Sequence, residues 1–317
     1  MTDMQDDVFK TPVNKIRLFE HGAPGSQNLK LTRKYYTEDM PDGRVKHIVQ
    51  NITDPDIVPY IPDGIGNSAD TERIPAVLII PGGAFRRLVY NFEGEDVAKW
   101  LNSMGIAAFV LECRLPSDEH DNAEDVPLID AMRAMRVIRG RAQEFGIDEA
   151  KIGVMGFSAG GFMAALLSTA YESDVYADYK YKDEYDKLSA RPDFAVCSYP
   201  VISIDDCIEA GKRYMSEEQV LERISDSKAK ILHKYNPDKL VRPDMPPVFI
   251  CETDDDRTTL SENSVGFYMA ARKAGVSAEL HIFRTGGHGY GCGDDFAQTG
   301  EWKVLFTKWI KSIGIIS

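Results

Sequence analysis

The chain has 317 residues, 43% hydrophobic and 27% charged, with a formal net charge of −13. That size can bury about three quarters of the unfolded surface, and the composition is that of a soluble globular protein. The acidic balance argues against nucleic acid and anionic membranes as partners and disfavours strongly anionic substrates, leaving neutral esters, amides and sugars open.

Residues 1–73 are rich in Pro, Asp and Gly and read as short strands and turns that add antiparallel edges to a sheet. Their start, Met1 to Asp7, is acidic and lacks the basic and apolar regions of a signal peptide, so a cytoplasmic location is expected. From Ile74 onward strands and helices alternate, the pattern of a mostly parallel sheet covered on both faces. The predicted strands are Ala76–Ile80, Ala107–Glu112, Ile152–Gly156, Phe194–Tyr199, Val248–Cys251 and Ala278–Phe283. Several are unbroken apolar runs, as expected where both faces of a strand are buried. Helices are predicted over 93–104, stopped by Gly105, from Pro127 onward with Leu128, Met132, Met135 and Ile138 on one stripe, and over 261–273 before Gly275. Trp302, Leu305, Phe306 and Trp309 mark a closing helix. Two insertions, 171–191 and 203–246, interrupt the rhythm, the second with a helical piece from Ser216 to Leu232. Both are expected to roof the ligand site of a single domain spanning 1–317. No apolar stretch is long enough for a membrane span. The five cysteines are scattered without C-x-x-C spacing, so neither a disulfide framework nor a metal site is expected.

The decisive motif is Gly156-Phe-Ser158-Ala-Gly160, at the junction of the Ile152 strand and a helix beginning near Phe162. A G-x-S-x-G in strand–turn–helix context is a nucleophile elbow, which lifts the serine hydroxyl off the sheet edge. An activated serine needs a base and the base needs a carboxylate, in the chain order Ser, acid, His. Of six histidines only His281 and His288 follow the elbow near a late strand. His281 lies inside its strand, whereas His288 follows it in the turn Arg284-Thr-Gly-Gly-His288-Gly-Tyr-Gly291, whose glycines let the backbone swing an imidazole over the strand ends. The acid belongs after the Val248–Cys251 strand, where Asp254, Asp255 and Asp256 are adjacent and the residues alone do not separate them. Oxyanion donors are expected from the backbone N–H of Ala159, at a helix N-terminus, and from Gly83 and Ala84 in the turn Pro81-Gly-Gly-Ala-Phe85. Phe85 and Phe157 are candidate pocket walls.

Several segments together resemble the acetyl-xylan esterase and acetylesterase branch of the α/β-hydrolases. They are Pro81-Gly-Gly-Ala-Phe85, Trp100 to Val110, Asp130-Ala-Met-Arg-Ala-Met-Arg136, Ile152 to Gly161, Arg191-Pro-Asp-Phe194, Tyr199-Pro-Val-Ile202, Glu262-Asn-Ser264 and Gly286-Gly-His-Gly289. The likeness runs from about Ile57 to the C-terminus. It implies an α/β-hydrolase fold and hydrolysis of small acyl esters, typically acetyl groups on sugars such as xylan, with no metal or organic cofactor. Analogy with the D-D-R and D-D-P loops of related hydrolases puts Asp255 first as the triad acid, with Asp256 and Asp254 behind it. Two departures stand out: Ala84 replaces the third loop glycine, and Thr258-Thr-Leu260 replaces a Val-Val-Pro-like run. Some relatives carry the label xylanase, but glycoside hydrolysis needs a carboxylate pair around the sugar, and no motif here demands one.

The sequence therefore predicts a serine carboxylesterase using Ser158, His288 and Asp255, acting on a small-molecule or oligosaccharide ester, with room for a homo-oligomer. The rival readings are a prolyl-oligopeptidase-like peptidase, which shares the D-D-R loop, and a non-catalytic binder on a hydrolase scaffold.

Overall fold

The computed structural model describes residues 9, 13–65, 73–216, 218–220, 229–293 and 298–317. An eight-stranded sheet runs β1 (Ile16–Arg17), β4 (Asp56–Tyr60), β7 (Ala107–Glu112), β5 (Ile74–Ile80), β8 (Ile147–Phe157), β9 (Ala195–Ser198), β10 (Val248–Thr253), β11 (Ala278–Phe283) in spatial order. All pairs from β7 to β11 are parallel, and β1 and β4 join antiparallel at one edge. The six predicted strands are thus present. Every residue of β7, β9 and β10 is buried, which is why these strands read as apolar runs rather than alternating ones. Strand order reverses at β5, with β7 on one side and β8 on the other, and ligands of open α/β sheets bind outside the strand ends at such a switch point.

The N-terminal region departs from expectation. Only β1 and β4 extend the main sheet. Strands β2 (Lys34–Asp39) and β3 (Val45–Gln50) pair with β6 (Leu88–Val89) in a separate antiparallel sheet of three. Phe9 lies on this small sheet, stacked on His47 with ring centroids 4.5 Å apart.

Helices α1 (Asp96–Ser103), α2 (Val126–Gly140), α3 (Ala142–Phe145), α4 (Ala159–Ala170) and α5 (Ile204–Tyr214) fill the crossovers, followed by helices over Ser261–Lys273 and Glu301–Ser312. Gly105, at φ 74°, stops the α1 segment as expected. The start of that segment differs: Asn91–Glu95 forms a π-turn before the α-helix begins. Of the predicted helix 216–232, residues 217 and 221–228 lie outside the described residues, and a helix covers Ala229–Lys234.

The insertion 171–191 is pinned to α2 and the N-terminal arm. Arg133 of α2 donates to Asp183 (2.7 Å) and Asp186 (3.1 Å), and the Tyr179 hydroxyl donates to the Gly22 carbonyl (2.9 Å). A fully buried ion pair, Arg114 with Asp130 (2.7 Å), ties the end of β7 to the same helix. No helix among the described residues is long and apolar enough to cross a membrane.

Candidate active site

Ser158 follows the last residue of β8 and caps α4 with φ 54° and ψ −117°, a conformation that L residues rarely adopt. The flanking glycines explain how the turn closes. A Cβ at Gly156 would sit 1.9 Å from the Gly160 carbonyl oxygen, and one at Gly160 would sit 1.9 Å from that of Ile80. No side chain fits either position, so the motif is a packing requirement. The Ser158 amide donates to the Ser198 carbonyl on β9 (3.0 Å), holding the strained turn to the sheet.

The Ser158 Oγ lies 2.8 Å from Nε2 of His288. On the far side of the ring, Nδ1 lies 2.6 Å from Oδ2 of Asp256. The structure thus brings together Ser158 and His288 as expected, but the facing carboxylate is Asp256 and not Asp255. The turn after β10 decides between them. Asp256 points inward, its side chain fully shielded, and its Oδ1 accepts the N–H groups of Thr258 (2.7 Å) and Thr259 (3.0 Å). Asp255 is exposed, and its Oδ1 accepts the Gly287 N–H (2.8 Å). Asp254 is exposed too. His281, on β11, faces Glu279 (2.8 Å) and takes no part.

Electrostatics separate two neighbouring carboxyls. Burial works to raise Asp256, but the hydrogen bond and charge of His288 and the two threonine amides outweigh it and hold the carboxyl below its ordinary range. Glu252, buried at the end of β10, is pushed well up by desolvation and by the Asp256 charge. Asp256 is therefore the one that carries the negative charge beside the imidazole.

The cleft in front of Ser158 has a volume of about 240 Å³ and is lined by Gly83, Ala84, Glu93, Ser158, Thr258 and His288, with Met40, Arg44 and Lys46 from the β2–β3 hairpin. Among the described residues, neither 171–191 nor 203–246 contributes to this lining, which the β2–β3 hairpin supplies on that side. Gly83 at φ 137° and Ala84 at φ 56° turn the Pro81–Phe85 segment across the cleft. Ala159 opens α4, where first-turn N–H groups have no intrahelical acceptor and the helix dipole favours negative charge. Ala84 tolerates its left-handed backbone, so the missing third glycine does not unmake the loop.

The two phenylalanines divide. Phe157 is fully buried and packs on Tyr199 and Trp302. It belongs to the core, because it is still a strand residue while the serine after it is lifted into the turn. Phe85 lines a much smaller cavity of about 10 Å³ together with Gly82, Leu115, Ala159 and Met163. Three contributors were missed in the sequence: Thr259, whose hydroxyl donates to Asp256 (2.9 Å), and the buried pair Glu93 and Tyr199. Thr259 was visible only as a departure from a family pattern, and Tyr199 only as part of a quoted motif.

The BD-FAE family model matches residues 65–270. The chain belongs to the BD-FAE family. An acetylxylan esterase of Xylanibacter ruminicola is 31% identical over 240 residues, covering 75% of this chain and 45% of that protein. An endo-1,4-beta-xylanase B of Butyrivibrio fibrisolvens is 30% identical over 270 residues, covering 82% of this chain and 40% of that protein. The chain therefore spans less than half the length of these curated relatives. Among solved structures, an acetyl ester-xyloside bifunctional hydrolase from Caldicellulosiruptor lactoaceticus superposes with a TM-score of 0.70 at 34% identity, covering 96% of this chain and 97% of that one. A thermophilic esterase from Thermogutta terrifontis, at 23% identity and a TM-score of 0.64 over 93% of this chain and 96% of that one, shares the α/β-hydrolase fold.

Proposed function

We propose that this chain is a serine carboxylesterase that removes small acyl groups, acetyl above all, from carbohydrate esters. The observation that carries the proposal is the hydrogen-bonded run from Ser158 to His288 (2.8 Å) to Asp256 (2.6 Å), opening onto a cleft. His288 Nε2 takes the Ser158 proton as Oγ attacks the ester carbonyl. Asp256 holds Nδ1–H and stabilises the imidazolium. The N–H groups of Ala159, Gly83 and Ala84 receive the oxyanion, each such donor being worth about 3 kcal/mol in comparable sites. Collapse of the tetrahedral intermediate expels the alcohol, which collects its proton from His288. Water then attacks the acyl-serine by the same route in reverse and releases the acid.

The preference for a small acyl group rests on the cavity beside Ala159. At about 10 Å³ it lies at the lower limit for a single water-sized group, which leaves little space beside Ala159 for a long acyl chain. The carbohydrate half rests on the relatives, whose names join acetyl esters to xylan and xylosides. The test is a burst of nitrophenol from 4-nitrophenyl acetate, its loss in Ser158→Ala, and turnover across acetylated xylo-oligosaccharides and nitrophenyl esters of growing length. An unchanged rate in Ser158→Ala removes the serine from the mechanism, and a preference for aminoacyl amides over acetyl esters replaces the esterase with a peptidase.

A further inference from the structure

The esterase steps make no use of Glu93, yet its carboxylate is buried, 5% exposed, at the wall of the cleft. Burying a carboxylate costs several kcal/mol unless donors surround it. Here both oxygens are occupied. Oε2 accepts the Gly82 N–H (2.8 Å) and Oε1 accepts the Tyr199 hydroxyl (3.0 Å). The first bond grips the root of the loop that carries Gly83 and Ala84. The second leads on, because the Tyr199 oxygen itself accepts the Gly291 N–H (3.0 Å), at the end of the glycine turn that carries His288. The Tyr199 ring also meets the His288 ring edge-on, with centroids 5.1 Å apart.

Nothing in this bridge is slack. A Cβ on Gly82 would lie 2.7 Å from Glu93 Oε2 and 2.9 Å from Ser158 Cβ, so the carboxylate and the nucleophile both crowd the loop at this glycine. Tyr199 holds φ 38°, a left-handed conformation that only its surroundings enforce. Glu93 sits in the π-turn Asn91–Glu95, a local widening of the kind that recurs at functional sites. A stability argument alone gives no reason to hold a desolvated carboxylate between two catalytic loops.

We propose that Glu93 and Tyr199 form a buried strut that fixes the spacing between the oxyanion loop and the turn bearing His288, acting as positioning residues for ester hydrolysis. The inference rests on the esterase reading. Neither residue touches substrate atoms in the reaction; each acts through the groups it holds. Burial pushes the Glu93 carboxyl up, and the imidazole of His288, the Tyr199 hydroxyl, the Gly82 amide and Lys46 oppose that shift without reversing it.

The experiment is a double-mutant cycle on Glu93→Leu and Tyr199→Phe, with Glu93→Gln as the conservative variant, using 4-nitrophenyl acetate and counting active serines by fluorophosphonate titration. A loop displaced by about 1 Å costs on the order of 100-fold. Each single variant is expected to lose about 10- to 100-fold in kcat per titrated serine, with KM within about 3-fold of wild type. The double variant loses little more than the worse single one, because one strut is broken only once. Glu93→Gln recovers to within about 5-fold of wild type, since its amide oxygen still accepts from Gly82 and its NH₂ can donate to the Tyr199 oxygen. Tyr199→Phe removes one hydroxyl and keeps the ring, so it serves where Glu93→Leu does not fold. A kcat per titrated serine equal to wild type in Tyr199→Phe, multiplied losses in the double variant, or no recovery with Gln overturns the strut. Wild-type protein inert toward acetyl esters would instead overturn the esterase reading itself.

Discussion

Asp256→Asn separates the geometry of this site from a generic acidic turn. The Asp256 Oδ1 accepts two amide hydrogens, from Thr258 and Thr259 at 2.7 and 3.0 Å, and Oδ2 accepts from the imidazole at 2.6 Å. An asparagine at this position must keep its oxygen toward the two amides. Its NH₂ then lands where Oδ2 was, facing the Nδ1–H of His288. Two donors cannot bond, so the ring adopts the other tautomer and the proton moves to Nε2, the atom that must accept from Ser158 at 2.8 Å. Where such a tautomer switch has been made in a serine hydrolase, kcat falls by about 10⁴, which is about 5 kcal/mol of transition-state stabilisation. The assay is kcat for 4-nitrophenyl acetate, referenced to Asp255→Asn. Asp255 is exposed and accepts one backbone N–H, so its replacement should cost about 0.5–1.5 kcal/mol of loop order and at most about tenfold in kcat. An Asp256→Asn enzyme within tenfold of wild type, or an equal loss at Asp255, refutes the assignment.

Three other expectations follow from packing and charge. Met163→Ala enlarges the cavity beside Ala159, and should raise the ratio of butyrate to acetate kcat/KM by about tenfold or more, given about 1–3 kcal/mol for each accommodated methylene; an unchanged ratio places the acyl group elsewhere. Gly160→Ala puts a methyl 1.9 Å from the Ile80 carbonyl oxygen, so the urea midpoint should fall by the equivalent of about 3 kcal/mol or more, and a wild-type midpoint would contradict the tight elbow. Burial raises the Asp118 carboxyl to about 6, so its ionisation weakens the fold progressively as pH rises from the unfolded pKa of about 4 and in full above about 6. Asp118→Asn should therefore gain about 1 kcal/mol at pH 8, after screening by solvent, and converge with wild type below about pH 4; equal denaturation curves at pH 8 would refute it.

The legible part of the sequence was set by local periodicity and by backbone sterics. The strands β5, β7, β9 and β10 and the Ile152–Phe157 half of β8 were visible because burial on both faces favours apolar side chains, whereas β11 is a half-buried edge strand read from its place in the alternation of strands and helices. The elbow was visible because its two glycines cannot be anything else. What failed was decided by contacts between distant segments. Three adjacent aspartates look alike in sequence, and only the turn closed by the Thr258 and Thr259 amides selects Asp256. Of the two long insertions, 171–191 is drawn against α2 by the Arg133 ion pairs, and among the described residues the β2–β3 hairpin lines the cleft. Phe157 was misplaced because a residue next to the nucleophile in sequence is still a strand residue, packed on Tyr199 and Trp302.

The left-handed residues show how the site is held. Among the described non-glycine residues, seven have positive φ, and four of them, Ala84, Phe85, Ser158 and Tyr199, belong to the cleft or directly support it. Each such residue costs on the order of 1–3 kcal/mol and persists only where its surroundings enforce it. The enforcement is visible for three of the four. The Ser158 amide bonds the Ser198 carbonyl, the Phe85 ring packs edge-on against Phe162 at 5.6 Å, and the Tyr199 amide donates to the Cys251 carbonyl at 2.7 Å. All three anchors lie on the parallel strands or on α4, the most buried parts of the molecule. The core thus carries the strain that keeps the donors and the nucleophile in place before any ester arrives, and preorganised groups need no rearrangement as charge develops on the oxyanion.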